Sequence, residues 1–312
     1  MISIDIAVLT LNEERYIGSC LSSILNFAKP ENVKIKIFII DGGSTDKTLE
    51  IIKNDFLSLN ESIEIIQNKK KIQSAGMNLM IKQSQSDYLL RIDSHCIYDK
   101  NYLKNCLDVS IKTNADNVGG VIETVVGDSS YSAQVVQAIS SHIFGVGNSN
   151  FRIGSKARYV DTVPFGFFKS SIFSKVGIFD ERLVRAQDYE FNRRIIKEGG
   201  KIFLDPSIKV KYFNQVSFLK FLKKIFYLEA PYNSYMWYFS PYTFSIRHSI
   251  TLFFFIGLIG GLITSFFSKF LFITYILIIT LYWILALISS TLLTIKFNQI
   301  RHFFLLPFCF FL

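Results

Sequence analysis

FIIDGGSTDKT, residues 38–48, sets the end of an apolar strand against a carboxylate, two glycines and the start of a helix. Its apolar half closes the run 35–40. Its polar half holds Ser44 and Thr45, residue types that cap helices, and Leu49, Ile51, Ile52 and Phe56 follow as the apolar positions of that helix. The same alternation recurs along the chain. Apolar runs at 4–9, 63–66, 88–92 and 118–122 end in polar loops, and Ile17, Leu21, Ile24 and Leu25 form another apolar helical stripe. Strands alternating with helices specify an α/β fold with a mainly parallel sheet covered on both faces. Ligands of such sheets lie beyond the carboxyl ends of the strands, where strand order reverses. The polar residues at those ends are Thr10, Asn12 and Glu13 after the first strand, Asp41 after the second, and Asp93 and His95 after YLLRI.

Composition divides the 312-residue chain in two. Residues 230–312 hold no Asp or Glu, and their only Lys or Arg residues are Arg247, Lys269, Lys296 and Arg301. Taking those four from the 34 Lys and Arg leaves 30 against 25 acids, a net +5 on residues 1–229. That segment has the polarity of a soluble domain. The remaining +4 lies among Phe, Leu and Ile runs, which points to an anionic membrane surface as partner and not to nucleic acid. Cys20, Cys96, Cys106 and Cys309 show no CxxC pairing and read as reduced thiols. The N-terminal MISIDIAVLTLNEERY has a short apolar stretch broken by Asp5 and no basic leader, so no signal peptide is expected and the first domain should stay in the cytosol.

Residues 250–267 and 270–295 carry no charge, and each reaches the length of roughly 20 helical residues that crossing a bilayer requires. Only Ser268 and Lys269 separate them, so a tight hairpin is expected, with the flanking bases placing both ends inside. A third apolar run, 303–312, is too short to cross and reads as re-entrant or as a span cut short. Before the tail, SFLKFLKKIFYLE (217–229) puts Phe218, Leu219, Phe221, Leu222, Ile225, Phe226 and Leu228 on one side of a helical wheel. Lys220, Lys223, Lys224 and Tyr227 fall on the other. Such a helix suits a membrane interface and suits equally a place packed on the domain itself. The expected organisation is therefore a cytosolic domain at 1–215, an amphipathic interfacial segment at 216–249 and a multi-pass membrane region at 250–312.

Three motifs could carry chemistry. The DGGS turn suits a nucleotide, though it could also be a plain strand-to-helix connection, and it matches neither GxGxxG nor the P-loop. Asp93 and His95 flank one residue at a strand end and can point to the same side. One oxygen and one imidazole donor suit Mn²⁺ or Mg²⁺ better than structural zinc, provided a diphosphate supplies the remaining ligands; a polar loop exit with a hydrogen-bonded histidine is the alternative. FDERLVRAQDYEFNRRI brings Asp188 and Glu190 to the start of a helix whose apolar positions are Phe191, Ile195 and Ile196. Carboxylates there can serve the helix dipole, or one can act as a general base.

VLTLNEE, IIDGGSTDKT, SAGMNLMI, LLRIDSHC, DTVPFGFF and GIFDERLVRAQDYEFNRRI, in this order and spacing, resemble the family-two inverting glycosyltransferases of the GT-A fold. The similarity is greatest to the membrane-associated subgroup of succinoglycan-biosynthesis type. The resemblance implies that Thr10, Asn12, Glu13, Asp41 and Asp93 border a nucleotide-sugar donor, with Asp41 at a uracil-like base. It implies that Asp93 and His95 stand in the DxD metal motif, the second acid replaced by histidine, and that Asp188 is the catalytic base, with Gln187 where many members carry Glu. Phe165, Gly166 and Phe167 would line the acceptor side or form a core strand with a bulge. Met77 stands where relatives often have Arg, and no QxxRW-type segment occurs near Lys223, which argues against a processive polymerase. The expected acceptor is a saccharide or a polyprenyl-linked one, because a membrane tail points to an acceptor held at the bilayer surface, and membrane lipid is an expected partner. A non-catalytic membrane scaffold and a nucleotidyltransferase are the rival readings; the first conflicts with the intact Asp93, His95 and Asp188, the second with the acidic TLNEERY.

Overall fold

A computed structural model describes residues 1–57, 62–154 and 156–311; Leu312, the last residue of the third apolar run, and the side chains of Arg247 and His248 lie outside the described residues. The strands are β1 (Ile2–Thr10), β2 (Val33–Asp41), β3 (Ile63–Gln67), β4 (Tyr88–Asp93), β5 (Cys96–Tyr98), β6 (Asn117–Val125), β7 (Arg158–Tyr159), β8 (Phe167–Lys169) and β9 (Ile202–Phe213). They form one sheet in the order β3-β2-β1-β4-β8-β6-β9-β5, with β7 also on β9. Pairs β1–β2, β1–β4, β2–β3 and β6–β9 are parallel, while the short β8 runs antiparallel between β4 and β6.

β1 shows why the sequence folds this way. Residues 4–10 are all buried, the consequence of lying in a sheet with neighbours on both sides. The one charge in that stretch, Asp5, accepts a 2.6 Å hydrogen bond from the Ser84 hydroxyl. Chain order places β2 on one side of β1 and β4 on the other, so the topological switch lies at β1. Register then aligns the three ends: Thr10 sits opposite Asp41, and Leu9 opposite Asp93.

The helix Gln73–Gln83 comes unusually close to this edge. A Cβ on Gly76 would lie 3.0 Å from Leu9 Cδ2, 3.1 Å from Ile40 Cγ2 and 3.2 Å from Asn68 Nδ2. Glycine lets the helix seat Gln73 over the strand ends. The second helix begins later than its composition suggests. It spans Thr48–Asp55, not from Ser44 or Thr45, because those residues are drawn into the turn described below.

The chain divides into two compact units that are not continuous in sequence. The first comprises Met1–Val125, Gly154–Phe213 and Phe226–Thr243; the second comprises Val126–Ile153, Asn214–Ile225 and Phe244–Leu312. Within the first, the helix Ala230–Phe239 buries Met236 with Leu183 and Tyr189. Within the second, the helices Tyr131–Ser140, Lys269–Phe297 and Arg301–Phe311 share a core of Val135, Ala138, Ile139, Leu293, Leu306 and Cys309.

The amphipathic segment departs from a single wheel. Phe218–Lys224 is α-helical, but Ile225–Glu229 is a π-helix, and the extra residue per turn rotates everything after it. Phe218 and Phe221 pack on the core of the second unit, whereas Leu219 and Phe226 are exposed. The four cysteines are free and buried, as their spacing suggests. Of the two expected spans, the second is the helix Lys269–Phe297, which among the described residues is the one long and apolar enough to cross a membrane. The first is helical over Ile246–Ser265, of which the apolar part Ser249–Ser265 is shorter.

Glu190, one of the two candidate carboxylates on the helix Gln187–Lys197, turns out to be an anchor. It is 1% exposed and binds Arg194 through Nη2 at 2.5 Å and Nε at 2.9 Å, and accepts from the Tyr242 hydroxyl at 2.5 Å. Removing it strands a guanidinium and a hydroxyl together. Glu190→Ala is expected to lower unfolding free energy by about 3 kcal/mol, measurable as a drop in melting temperature; an unchanged melt would refute the anchoring role.

Candidate active site

The edge where β1, β2 and β4 end is built by two loops that hydrogen-bond to each other. Asn12, in a left-handed conformation (φ 57°), accepts from Thr45 N through Oδ1 at 2.8 Å, and its own N donates to Ser44 Oγ at 2.9 Å. Glu13 N donates to Thr48 Oγ1 at 2.7 Å. Glu14 closes the interlock by accepting from Lys47 N at 3.0 Å while its own N donates to Asp46 at 3.1 Å. Ser44 and Thr45 are therefore spent on the turn and cannot cap the helix.

Asp41 belongs to the same construction. Its carboxylate accepts from Gly43 N at 2.8 Å, from Ser44 N and from the Ser44 hydroxyl at 2.6 Å. Shaping this turn is its first task, and a carboxylate retains acceptor capacity beyond that. Gly43, at φ 83°, occupies the backbone region that the turn requires. Thr10 differs from its neighbours: its Oγ1 is buried and has no hydrogen-bond partner among the described residues. A buried hydroxyl left unpaired at a strand end is the kind of group that a bound ligand satisfies.

Asp93 and His95 are held by separate partners. Asp93 N donates to the Tyr98 hydroxyl at 3.0 Å, and Ser94 Oγ donates to Leu9 O at 2.9 Å, fixing the loop against β1. The His95 ring meets Glu13 Oε1 through Nδ1 at 3.0 Å and lies edge-on to Tyr212. A carboxylate on one imidazole nitrogen orients the ring and raises the basicity of the other, the usual support of a metal-ligating histidine. No group of three or more His, Cys, Asp or Glu residues forms a metal cluster among the described residues. A divalent cation held by Asp93 and His95 would need oxygens that arrive with it to complete its ligands.

Asp188 reaches the site from the other half of the sheet. It sits in the first turn of the helix Gln187–Lys197, entered through Ala186 in a left-handed conformation (φ 62°). Its side chain is 34% exposed and pairs with Arg91. Desolvation raises its pKa, Arg91 opposes this and Asp93 adds to it, leaving the carboxyl above its ordinary 3.8.

The sequence reading overlooked Arg91, although a charge in the middle of LLRID two residues before Asp93 was a visible signal. Arg91 is 2% exposed, donates to Asp188 through Nη1 and to Asp93 Oδ1 through Nη2 at 3.1 Å, and its Nη2 also reaches Gln73 Oε1 at 3.3 Å. Gln187 Nε2 donates to the same Gln73 oxygen at 2.9 Å. Asn78 was also missed: it grips the loop before the base, donating to Phe179 O and Glu181 Oε1 at 2.9 Å each and accepting from Phe179 N at 2.9 Å. Phe165 and Phe167, by contrast, are core side chains, Phe167 stacked on Tyr88 at 4.9 Å.

Residues 5–175 match the family described as Glycosyl transferase family 2. The chain belongs to that family. It is a glycosyltransferase, and its relatives bear such names. It is 33% identical over 229 residues to the dolichyl N-acetyl-alpha-D-glucosaminyl phosphate 3-beta-D-2,3-diacetamido-2,3-dideoxy-beta-D-glucuronosyltransferase of Methanococcus voltae, covering 71% of this chain and 70% of that protein. It is 29% identical over 210 residues to succinoglycan biosynthesis protein ExoA of Rhizobium meliloti strain 1021, covering 67% of this chain and 62% of that protein. A solved structure of S. aureus TarS 1-349 in complex with UDP-GlcNAc shares the fold, with a TM-score of 0.52 at 18% identity over 69% of this chain and 59% of that one.

A carboxylate that must be ionised to accept a proton gives a reaction an acid limb, and we expect one from Asp188. Because its folded pKa is raised, kcat/KM is expected to fall with an apparent pKa above 3.8. The stability contribution runs the opposite way: it is fully present below 3.8 and lost as pH rises through the raised value, so the activity loss is not unfolding driven by Asp188. A pH–rate profile flat down to the ordinary carboxylate range would contradict this.

Proposed function

We propose that the protein moves a sugar from a UDP-linked donor, bound with Mn²⁺ or Mg²⁺, onto a hydroxyl of a polyprenyl-linked saccharide with inversion at the anomeric carbon, in cell-surface polysaccharide synthesis. The observation that carries the reading is the juncture of Asp188 and Asp93 through Arg91 at the carboxyl edge of the parallel strands. It brings a candidate base and a candidate metal carboxylate, 95 positions apart in sequence, onto one guanidinium.

The residues divide the work. Thr10, Asn12, Glu13 and Asp41 border the nucleoside, with the unpaired Thr10 hydroxyl offering a hydrogen bond. Asp93 and His95 would hold the cation, with Glu13 orienting the imidazole. When bound, the cation supplies Lewis-acid stabilisation of charge on the departing diphosphate. Asp188 takes the proton of the acceptor hydroxyl as its oxygen bonds to the anomeric carbon. The bond from that carbon to the diphosphate oxygen breaks, and the electron pair leaves with the nucleotide.

The lipid-linked acceptor takes support from the printed name of the M. voltae relative and from the apolar helix Lys269–Phe297. We place the helices Ile246–Ser265 and Lys269–Phe297 in the membrane as a hairpin, with the catalytic residues on the cytosolic side of the cell membrane.

Isothermal titration of the full-length protein with UDP, with and without Mn²⁺, tests the donor site. Metal-dependent binding that disappears in Asp93→Ala is the expected result, and metal-independent binding or none would sink it. For the acceptor, truncation of the tail is a poor test, because Leu293 and Leu306 share a core with Val135 and Ala138. Transfer to a polyprenyl-linked saccharide should instead exceed transfer to the same saccharide without lipid by about tenfold or more, which corresponds to about 1.4 kcal/mol. Equal rates would remove the lipid from the proposal.

A further inference from the structure

Arg91 is the one buried charge at this edge that the mechanism above leaves without a task. It is among the largest fully buried side chains of the protein. Alternation along β4 places it on the same face as Asp93, so a hydrophobic residue there would be expected from packing alone. Its backbone is fixed as well, since Arg91 N donates to Gly166 O at 3.0 Å. Three side chains from three elements meet its guanidinium: Asp93 from its own strand, Gln73 from the helix Gln73–Gln83 and Asp188 from the helix Gln187–Lys197.

We infer that Arg91 is a positioning residue for transfer, a permanently charged fork that holds the base Asp188 by one carboxylate oxygen and locks it to Asp93. The inference rests on the assignment of Asp188 as base. Two features of arginine suit this role. Its planar fork can engage two carboxylates at once, which a lysine ammonium does with far less directional control. It also stays charged, because a guanidinium does not lose its proton inside a protein.

The charge count explains why a cation is needed. The charged groups facing Asp188 are Arg91 and Asp93 from β4 and Arg185 from its own loop. Without Arg91, Asp188 would face the like charge of Asp93 with only Arg185 opposing it, and a like charge favours retention of a proton. A protonated Asp188 cannot accept the acceptor's proton. With Arg91 on Oδ1, Asp188 remains ionised and its other oxygen, Oδ2, takes the proton. Gln73 adds direction: by receiving both Arg91 Nη2 and Gln187 Nε2, it ties the fork to the residue next to the base.

The test compares full-length wild type, Arg91→Met and Arg91→Lys by two readouts. Labelling of Asp188 with a water-soluble carbodiimide and an amine, followed across pH by peptide mass spectrometry, reports its protonation without requiring transfer. A wild type that labels normally but transfers no sugar would therefore discredit the proposed function and leave this measurement intact. Arg91→Met should move the pH of half-labelling upward by about one unit or more. Arg91→Lys, which keeps the charge, should leave it within about half a unit while lowering kcat by about tenfold, with donor KM changed by less than about threefold. Half-labelling in Arg91→Met at the wild-type pH, or full kcat in Arg91→Lys, overturns the inference. If Arg91→Met does not fold, the kcat of Arg91→Lys decides alone.

Discussion

A guanidinium buried to 2% exposure inside a sheet must be neutralised from within the protein. Asp93 alone supplies one carboxylate from two residues away, but Asp188 has to be delivered from a helix almost a hundred residues later. Much of the first unit serves that delivery. Gly76 allows the helix bearing Gln73 to approach, Asn78 grips the loop at Phe179 and Glu181, and Ala186 turns the chain left-handed so that Asp188 falls in the first helical turn. Placing a cation between two carboxylates is costly to fold and specific in geometry.

The end of the edge around Asp41 is built differently. Asp41, Asn12, Ser44 and Thr45 satisfy one another, so the two loops are already shaped without a ligand. Thr10 Oγ1 stands out as a buried group left unpaired amid this saturation. Loops already shaped before a ligand arrives favour binding without a large ordering cost. His95 is oriented in the same way, by Glu13.

The helix Gln187–Lys197 is held by a second set of contacts beyond those of Asp188. Glu190 engages Arg194 and Tyr242, Lys197 lies 4.7 Å from the Tyr242 ring centre, and Arg193 donates to Tyr242 O at 3.2 Å. The segment Pro241–Thr243 thereby becomes part of the first unit although composition assigns it to the approach to the membrane. Of the two carboxylates in DYE, one faces the site and the other fastens the helix, a division set by helical rotation of two residues.

Local pattern determined β1–β4, β6, the helix from Gln187 and the gathering of polar residues at strand ends, because periods of 2 and 3.6 and the exits of parallel strands are properties of short segments; β5, β7 and β9, shorter or less regular, were not legible in it. It also sufficed for the family, since the motifs occur in order. Partnership was beyond it. Nothing in the spacing of Ser44 and Thr45 shows that Asn12 and Asp41 will claim them and push the helix start to Thr48. The wheel over 217–229 assumed constant helical rotation, and the π-turn at Ile225–Glu229 broke it. The pairing of Arg91 with Asp188 was decided only by tertiary structure, because a buried charge chooses whichever opposite charge the folded chain brings within reach, whatever their distance along the sequence.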